Sequence, residues 1–352
     1  MYAPKYTITN TILRNVGNIE ACREVIENAP LVPAWEKRFR DEAAARTVHY
    51  GTHLEGNDLS FSEANQVLEG REVIGRERDI QEVINYRNVL RFIDSHAEVK
   101  EYTAEQIKKI HALTVEKLIS REQSGQYRQT GVVLKSSRTG EITFRPPYFL
   151  EVPALVDDFL FWLNNQSAKQ IHPVIRAAIT HYVLVAIHPF VEGNGRTARA
   201  FASLVLFSEN YDIKRFFSLE ENFDRDAASY FEQLMKVSNQ DPELENRDLT
   251  GWIEYFSRVL AIELARIKEK VKKLSVDLKL KGRLGKQIAL SEREMKLVEY
   301  LEEYKELTVP QARQILPMVS DDTLLRDLKD LAKKGIVKKR GSTKGAKYIM
   351  RG

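Results

Sequence analysis

Cysteine is almost absent from this chain. Cys22 stands alone, so no intrachain disulfide can form, and nothing beside it suggests a nucleophile. A reducing, cytoplasmic setting fits that usage. Long apolar runs are missing too. The stretch Tyr182–Ile187 stops at His188-Pro189, far short of a bilayer span, and Met1-Tyr2-Ala3-Pro4-Lys5 opens no signal-peptide stretch. No membrane partner is expected. A strong charge imbalance is lacking: 54 Lys and Arg against 50 Asp and Glu leave +4, which by itself implies neither nucleic acid nor membrane. There is no internal repeat and no low-complexity tract. Standard metal-ligand spacing is also absent: His181 and His188 have no third ligand near them.

What is present is a globular composition, 43% hydrophobic and 30% charged, in 352 residues, enough for two or three domains. Helical patterns dominate. Glu36 to Leu54 reads as a helix that Ala43, Ala44 and Ala45 favour by propensity, stopping near Gly56-Asn57. Ser60 and Glu63 form a capping box for the next helix, through Leu68. Further helices are predicted from about Asp79 to His96, Thr103 to Leu118, Val152 to Asn164 and Pro173 to Ile187, with two more between Ala227 and Leu264. His111 lies in one of these and reads as packing. One hairpin interrupts them: strand Gly131–Leu134, turn Ser136–Gly140 and strand Glu141–Phe144, ended by Pro146-Pro147.

The chemistry is concentrated in HPFVEGNGRTAR, His188 to Arg199. A helix ends at Pro189, the turn Gly193-Asn194-Gly195 follows, and a new helix starts at Gly195 or Arg196. Unpaired N–H groups at a helix start, with the helix dipole, make an anion site. Arg196 and Arg199 lie on one face of that helix, and two guanidinium groups there suit a polyphosphate. Glu192 would repel phosphate alone, but with Mg²⁺ it becomes a ligand shared with phosphate oxygens. His188, with a reference pKa of ~6.5, can be neutral at pH 7 and accept a proton from an attacking hydroxyl.

This stretch resembles the signature of the Fic family, His-x-Phe-x-(Asp/Glu)-Gly-Asn-Gly-Arg-x-x-Arg, with His188, Phe190, Glu192, Gly193, Asn194, Gly195, Arg196 and Arg199 at the fixed positions. The resemblance runs from about Thr47 to Val237. It implies transfer of AMP from ATP, with Mg²⁺, to a Ser, Thr or Tyr hydroxyl of a target protein, which can be the enzyme itself. His188 is then the base, Phe190 the anchor of the loop, and Glu192 the metal ligand. Gly193, Asn194 and Gly195 form the anion cradle, and Arg196 and Arg199 hold the outer phosphates. Gly195 argues against the phosphorylating Doc branch, which carries lysine there. The hairpin resembles the family's flap, with Val132, Val133, Leu134, Ile142 and Thr143 docking the target by strand addition.

Thr52-His53-Leu54-Glu55-Gly56-Asn57 resembles the family's inhibitory motif, although Gly51 stands where Ser or Thr is usual. The resemblance implies that Glu55 pairs with Arg199 and takes the fork meant for the γ-phosphate. In some relatives this glutamate instead positions water to remove AMP. Relatives often self-associate, so a homodimer is expected.

The last segment resembles a winged helix-turn-helix. Ser291–Tyr304 leads, Val309–Leu316 and Thr323–Lys334 form the helix pair, and Gly335–Lys338 and Ala346–Ile349 are strands. After Asp330 come eight Lys or Arg and no acidic residue, and Lys338, Lys339, Arg340 and Lys344 are candidate DNA contacts. The expected architecture is mainly α. It comprises an N-terminal helical region (1–100) with the inhibitory motif, a Fic-type core with a hairpin flap (101–265), a helix end and linker (266–288), and the winged helix (289–352). Protein adenylylation restrained by Glu55 is the leading function. AMP removal, and DNA-binding regulation with a nucleotide-sensing core, are the alternatives.

Overall fold

A computed structural model of the chain describes residues 2–29, 31, 33–96, 98–135, 140, 142–274, 290–341 and 346–351. The expected turn at 136–139, the linker from 275 to 288, and Lys344 lie outside these.

The described residues are mainly helical. In order the helices are α1 (Asn10–Glu27), α2 (Pro33–His53), α3 (Phe61–Leu68), α4 (Glu77–Ser95), α5 (Ala104–Thr114), α6 (Val152–Asn164), α7 (Gln166–Lys169), α8 (Pro173–Ile187), α9 (Asn194–Ser208), α10 (Leu219–Arg225), α11 (Ala227–Ser238), α12 (Thr250–Leu274), α13 (Glu292–Tyr304), α14 (Val309–Ile315) and α15 (Asp321–Lys333). Strands β1 (Leu134–Lys135) and β2 (Ile142–Phe144) form an antiparallel pair. Strands β3 (Glu306–Thr308), β4 (Val337–Arg340) and β5 (Lys347–Met350) form an antiparallel sheet in the order β3-β5-β4.

The chain divides into two compact units, Met1–Glu24 with Arg40–Ile267, and Val25–Phe39 with Lys268–Gly352. In the first, α8 is central. It is mostly apolar, as a buried helix must be, and its residues from Val174 to Ile187, all but Val185, are buried. Pro173 sets its first turn, and Pro189 prevents it from continuing past His188. Helix α9 packs against α8, α5 and α4 through an apolar face that includes Phe201, Leu204 and Val205. The capping box of Ser60 and Glu63 forms, and a second joins Thr103 to Gln106 at the start of α5.

Several boundaries differ from the sequence reading. Helix α5 stops at Thr114, not Leu118, and Lys117 turns the chain with φ 61°. Helix α9 starts at Asn194 because Gly193 already caps it in the left-handed region. The first hairpin strand is Leu134–Lys135, so Val132 and Val133 precede it. Leu134 faces Phe144 and Lys135 faces Ile142, with an irregularity between them. Thr143 Oγ1 donates to the Leu134 carbonyl at 3.2 Å. Helix α1 lies outside the expected helices, although Ile12, Ile19, Cys22 and Ile26 recur at helical spacing and are all buried. No described helix is long and apolar enough to cross a membrane.

In the second unit, Ser291 and Glu294 cap α13. Leu297, Leu301, Leu324, Leu328, Ile336 and Tyr348 are buried. Strand β3 is too short to carry a period of its own. Strands β4 and β5 begin two residues and one residue later than expected. Glycine at 335 takes φ 79° as the chain leaves α15.

Candidate active site

The site is built where α8 ends and α9 begins. His188 caps α8 in the left-handed region, φ 51° and ψ 60°, while its N–H still reaches the Leu184 carbonyl at 3.0 Å. A non-glycine residue there is strained, and a buried arginine holds it. Arg128 Nε donates to the His188 carbonyl at 2.8 Å and Nη2 donates to the Pro147 carbonyl at 2.6 Å. The Arg128 backbone N–H donates to Pro189 at 2.9 Å. Arg128 therefore ties the turn after α8 to the base of the hairpin.

The His188 ring is positioned by the Val185 carbonyl, 3.3 Å from Nδ1. A carbonyl can only accept, so Nδ1 carries the proton and Nε2 keeps its lone pair. Burial lowers the pKa to about 4, against the upward pull of that carbonyl and of Glu55. The ring is therefore neutral at pH 7.

Phe190 is fully buried and stacks on His111, ring centroids 3.7 Å apart and 2° from parallel. His111 also holds the loop by hydrogen bonds: Gly125 N–H donates to its Nδ1, and its Nε2 donates to the Glu192 carbonyl, both at 3.0 Å. Burial lowers its pKa to about 4, which preserves this neutral tautomer. Asn194 closes the loop in the other direction. Its Oδ1 accepts from Phe190 N–H and its Nδ2 donates to the Phe190 carbonyl, both at 2.9 Å. The Asn194 side chain is therefore committed inward and is not turned towards an anion.

Arg196 and Arg199 are both buried in the first turns of α9. Arg199 Nη2 pairs with Glu55 Oε1 at 2.9 Å and donates to the Gly51 carbonyl at 2.8 Å. Burial opposes the Arg199 charge, and Glu55 more than restores it, holding the pKa above its ordinary value. Burial likewise opposes the Glu55 charge, and Arg199 then Arg196 pull its pKa below the usual carboxylate value. A Cβ on Gly195 would collide with the Glu55 carboxylate. Gly51, the departure from the inhibitory pattern, has a local cause: a Cβ there would collide with the Tyr86 ring. Thr52 turns its hydroxyl back to the Val48 and His49 carbonyls, both at 3.0 Å.

Sequence reasoning missed the residues that seat this segment. Asn57 Nδ2 donates to the Asp79 carbonyl at 3.0 Å and to Glu82 Oε2 at 2.9 Å. Glu82 in turn lies 3.2 Å from Arg196. The one available signal was the i,i+4 spacing of Arg78 and Glu82 on α4. Glu192 accepts from Arg78 and lies 3.6 Å from Arg196. Among the described residues no group of three or more His, Cys, Asp or Glu is placed to hold a metal ion. The lone, partly exposed Glu192 carboxylate beside Arg196 would fit Mg²⁺, which takes few protein ligands and completes its shell with substrate oxygens and water.

The expected DNA contacts Lys338, Lys339 and Arg340 are exposed on β4. Successive residues of a strand face opposite ways, so Lys339 does not share a face with the other two. Helix α15 begins with Asp321 and Asp322, two residues before the expected start of the recognition helix.

Residues 101–206 match the Fic/DOC family. The chain is similar to protein adenylyltransferase Fic of Drosophila grimshawi, 28% identical over 201 residues, 56% of this chain and 40% of that protein. It is similar to protein adenylyltransferase fic-1 of Caenorhabditis briggsae, 34% identical over 188 residues, 50% of this chain and 34% of that protein. The matches thus span two-fifths or less of these relatives' own length. Among solved structures, a Fic family protein from Desulfovibrio desulfuricans G20 has TM-score 0.68 at 23% identity, covering 100% of this chain and 99% of that one. Fic-1 from C. elegans has TM-score 0.57 at 24% identity, covering 74% and 72%. Residues 101–206 are therefore a Fic/DOC family domain, in a chain that shares the fold of a Fic family protein.

Proposed function

We propose that this chain is a protein adenylyltransferase restrained by Glu55. The observation that carries the reading is the start of α9, where two buried arginines stand one turn apart beside a neutral, half-buried His188. The similarity to protein adenylyltransferases, over 201 and 188 residues, agrees with it. ATP phosphates would lie at the helix N-terminus against Arg196 and Arg199. Mg²⁺, when bound at Glu192, supplies positive charge to the phosphate oxygens. His188 Nε2 takes the proton from a target hydroxyl, and that oxygen attacks the α-phosphorus. A new O–P bond forms, the bond from the α-phosphorus to the bridging oxygen breaks, and pyrophosphate leaves. Strands β1 and β2 would align the target chain by strand addition.

Glu55 on Arg199 occupies a guanidinium edge that a terminal phosphate needs, so nucleotide must displace it to bind productively. Incubation with ATP labelled on the α-phosphate tests both parts. Label is expected on protein with Glu55→Gly, weakly with the unaltered chain, and not with His188→Ala. A second reading, removal of AMP, is favoured by the place of the Glu55 carboxylate, beside the phosphate arginines with its side chain 29% exposed. It requires Glu55→Gly to lose activity rather than gain it. The same experiment separates the two once an AMP-modified target is supplied.

The α13–α15 and β3–β5 unit reads as a winged helix, with β4 and β5 as the wing. Its β4 cations make duplex DNA a candidate partner. Self-association of the whole chain belongs to the same proposal.

A further inference from the structure

Four side chains at the mouth of the site form a closed square of alternating charge. Arg78 donates to Glu192. Glu192 lies 3.6 Å from Arg196, Arg196 lies 3.2 Å from Glu82, and Glu82 lies 3.4 Å from Arg78. The corners are not equivalent. The side chains of Glu82 and Arg196 are 6% and 3% exposed, and Asn57 holds Glu82 from behind. Those of Arg78 and Glu192 are 50% and 33% exposed. The inner pair is fixed by its surroundings, whereas the outer pair can exchange partners with solvent species.

We propose that Arg78 is the internal counter-ion of the metal site: its guanidinium occupies the Glu192 carboxylate, and a divalent cation takes that carboxylate by displacing it. The inference rests on the reading of Glu192 as the metal ligand. A guanidinium and a divalent cation compete for the same carboxylate oxygens, because each repels the other at contact distance. A half-exposed ion pair is weak, so the exchange is easy. The displaced Arg78 stays beside Glu82, its i+4 neighbour on α4, so the square opens at one corner and the rest keeps its place. Without Arg78, two carboxylates would face a single arginine, and the site would attract a cation more strongly.

The test is Mn²⁺ binding to the full chain carrying Glu55→Gly, followed by electron paramagnetic resonance. The nucleotide is α,β-methylene-ATP at saturation, whose α–β bridge cannot be cleaved. Arg78→Gln is expected to bind Mn²⁺ about two- to fivefold more tightly, the range open to a half-exposed ion pair. On a Glu192→Gln background the effect of Arg78→Gln should vanish. Equal or weaker Mn²⁺ binding by Arg78→Gln, or an undiminished gain on the Glu192→Gln background, overturns the proposal. If Glu192→Gln leaves Mn²⁺ affinity unchanged, the metal reading of Glu192 fails and this inference falls with it.

Discussion

His188 illustrates how a single residue's environment sets its chemistry. Its place after α8 and before Pro189 puts it in a left-handed turn, and Arg128 holds the strained carbonyl. The Val185 carbonyl selects the tautomer, and burial keeps the ring neutral down to a pKa of about 4. A base that titrates at about 4 is fully available at higher pH. In a Glu55→Gly chain, the rate of label transfer should therefore show no inflection from His188 between about pH 5.5 and 8. An inflection near the ordinary histidine value of about 6.5 would mean that the ring is hydrated in the working site. His188, Glu192, Arg196 and Arg199 could be singled out in the sequence because they fall within one twelve-residue stretch around a helix start. Arg128 was not, because its partners are backbone carbonyls, which carry no sequence signal.

At the scale of elements, the seating of α2 matters most, since Glu55 lies two residues beyond its end. Arg46 on this helix donates through Nη1 to Glu221 at 2.5 Å and to Glu263 at 2.9 Å, and through Nη2 to the Phe216 carbonyl at 3.1 Å. Arg266 lies 2.7 Å from the fully buried Glu263 carboxylate and also binds Glu221. Removing one partner of such a network leaves buried charge uncompensated. Arg46→Met should lower unfolding stability by about 3–5 kcal/mol in urea titration. A loss below about 1 kcal/mol would mean that Arg266 alone satisfies both carboxylates. Acid adds a check with a definite sign. Burial raises the Glu221 pKa, but hydrogen bonds from Arg266 and Arg46 outweigh that and lower it to about 2, from an ordinary value of 4.5. The folded state thus releases this proton more readily than the unfolded chain. The contribution is complete above the ordinary value and is lost as pH falls through about 2. In Arg46→Met that acid-dependent loss should be smaller.

Across the whole molecule, charge is nearly balanced at +4, yet it is unevenly placed. Lys338, Lys339 and Arg340 stand exposed on β4, while Asp321 and Asp322 open α15. If β4 binds duplex, neutralising those three cations should abolish the binding and remove about two to three from the salt slope of log affinity. Binding that persists without them would move the contact elsewhere. Absence of any salt-dependent duplex binding by the intact chain would leave β3–β5 and α13–α15 as a protein-docking unit, a use of this fold that fold alone does not distinguish.

Most helices, and the order of residues from His188 to Arg199, follow from the sequence itself. Apolar spacing, capping pairs such as Ser60 with Glu63, and prolines at helix ends act within a few residues, so a linear reading captures them. Short pieces escaped that reading: α10 and β3 are too brief for a period to show. Only the tertiary structure decided what meets at the site. Asn57, just past the end of α2, reaches Glu82 on α4, and Arg78 closes a square with Glu192, whereas the Glu55–Arg199 pair is already implied by the family resemblance. Periodicity tells which face of a helix is buried. It does not tell which helix lies opposite, and the charge pairs that govern this site form only between faces brought together by packing.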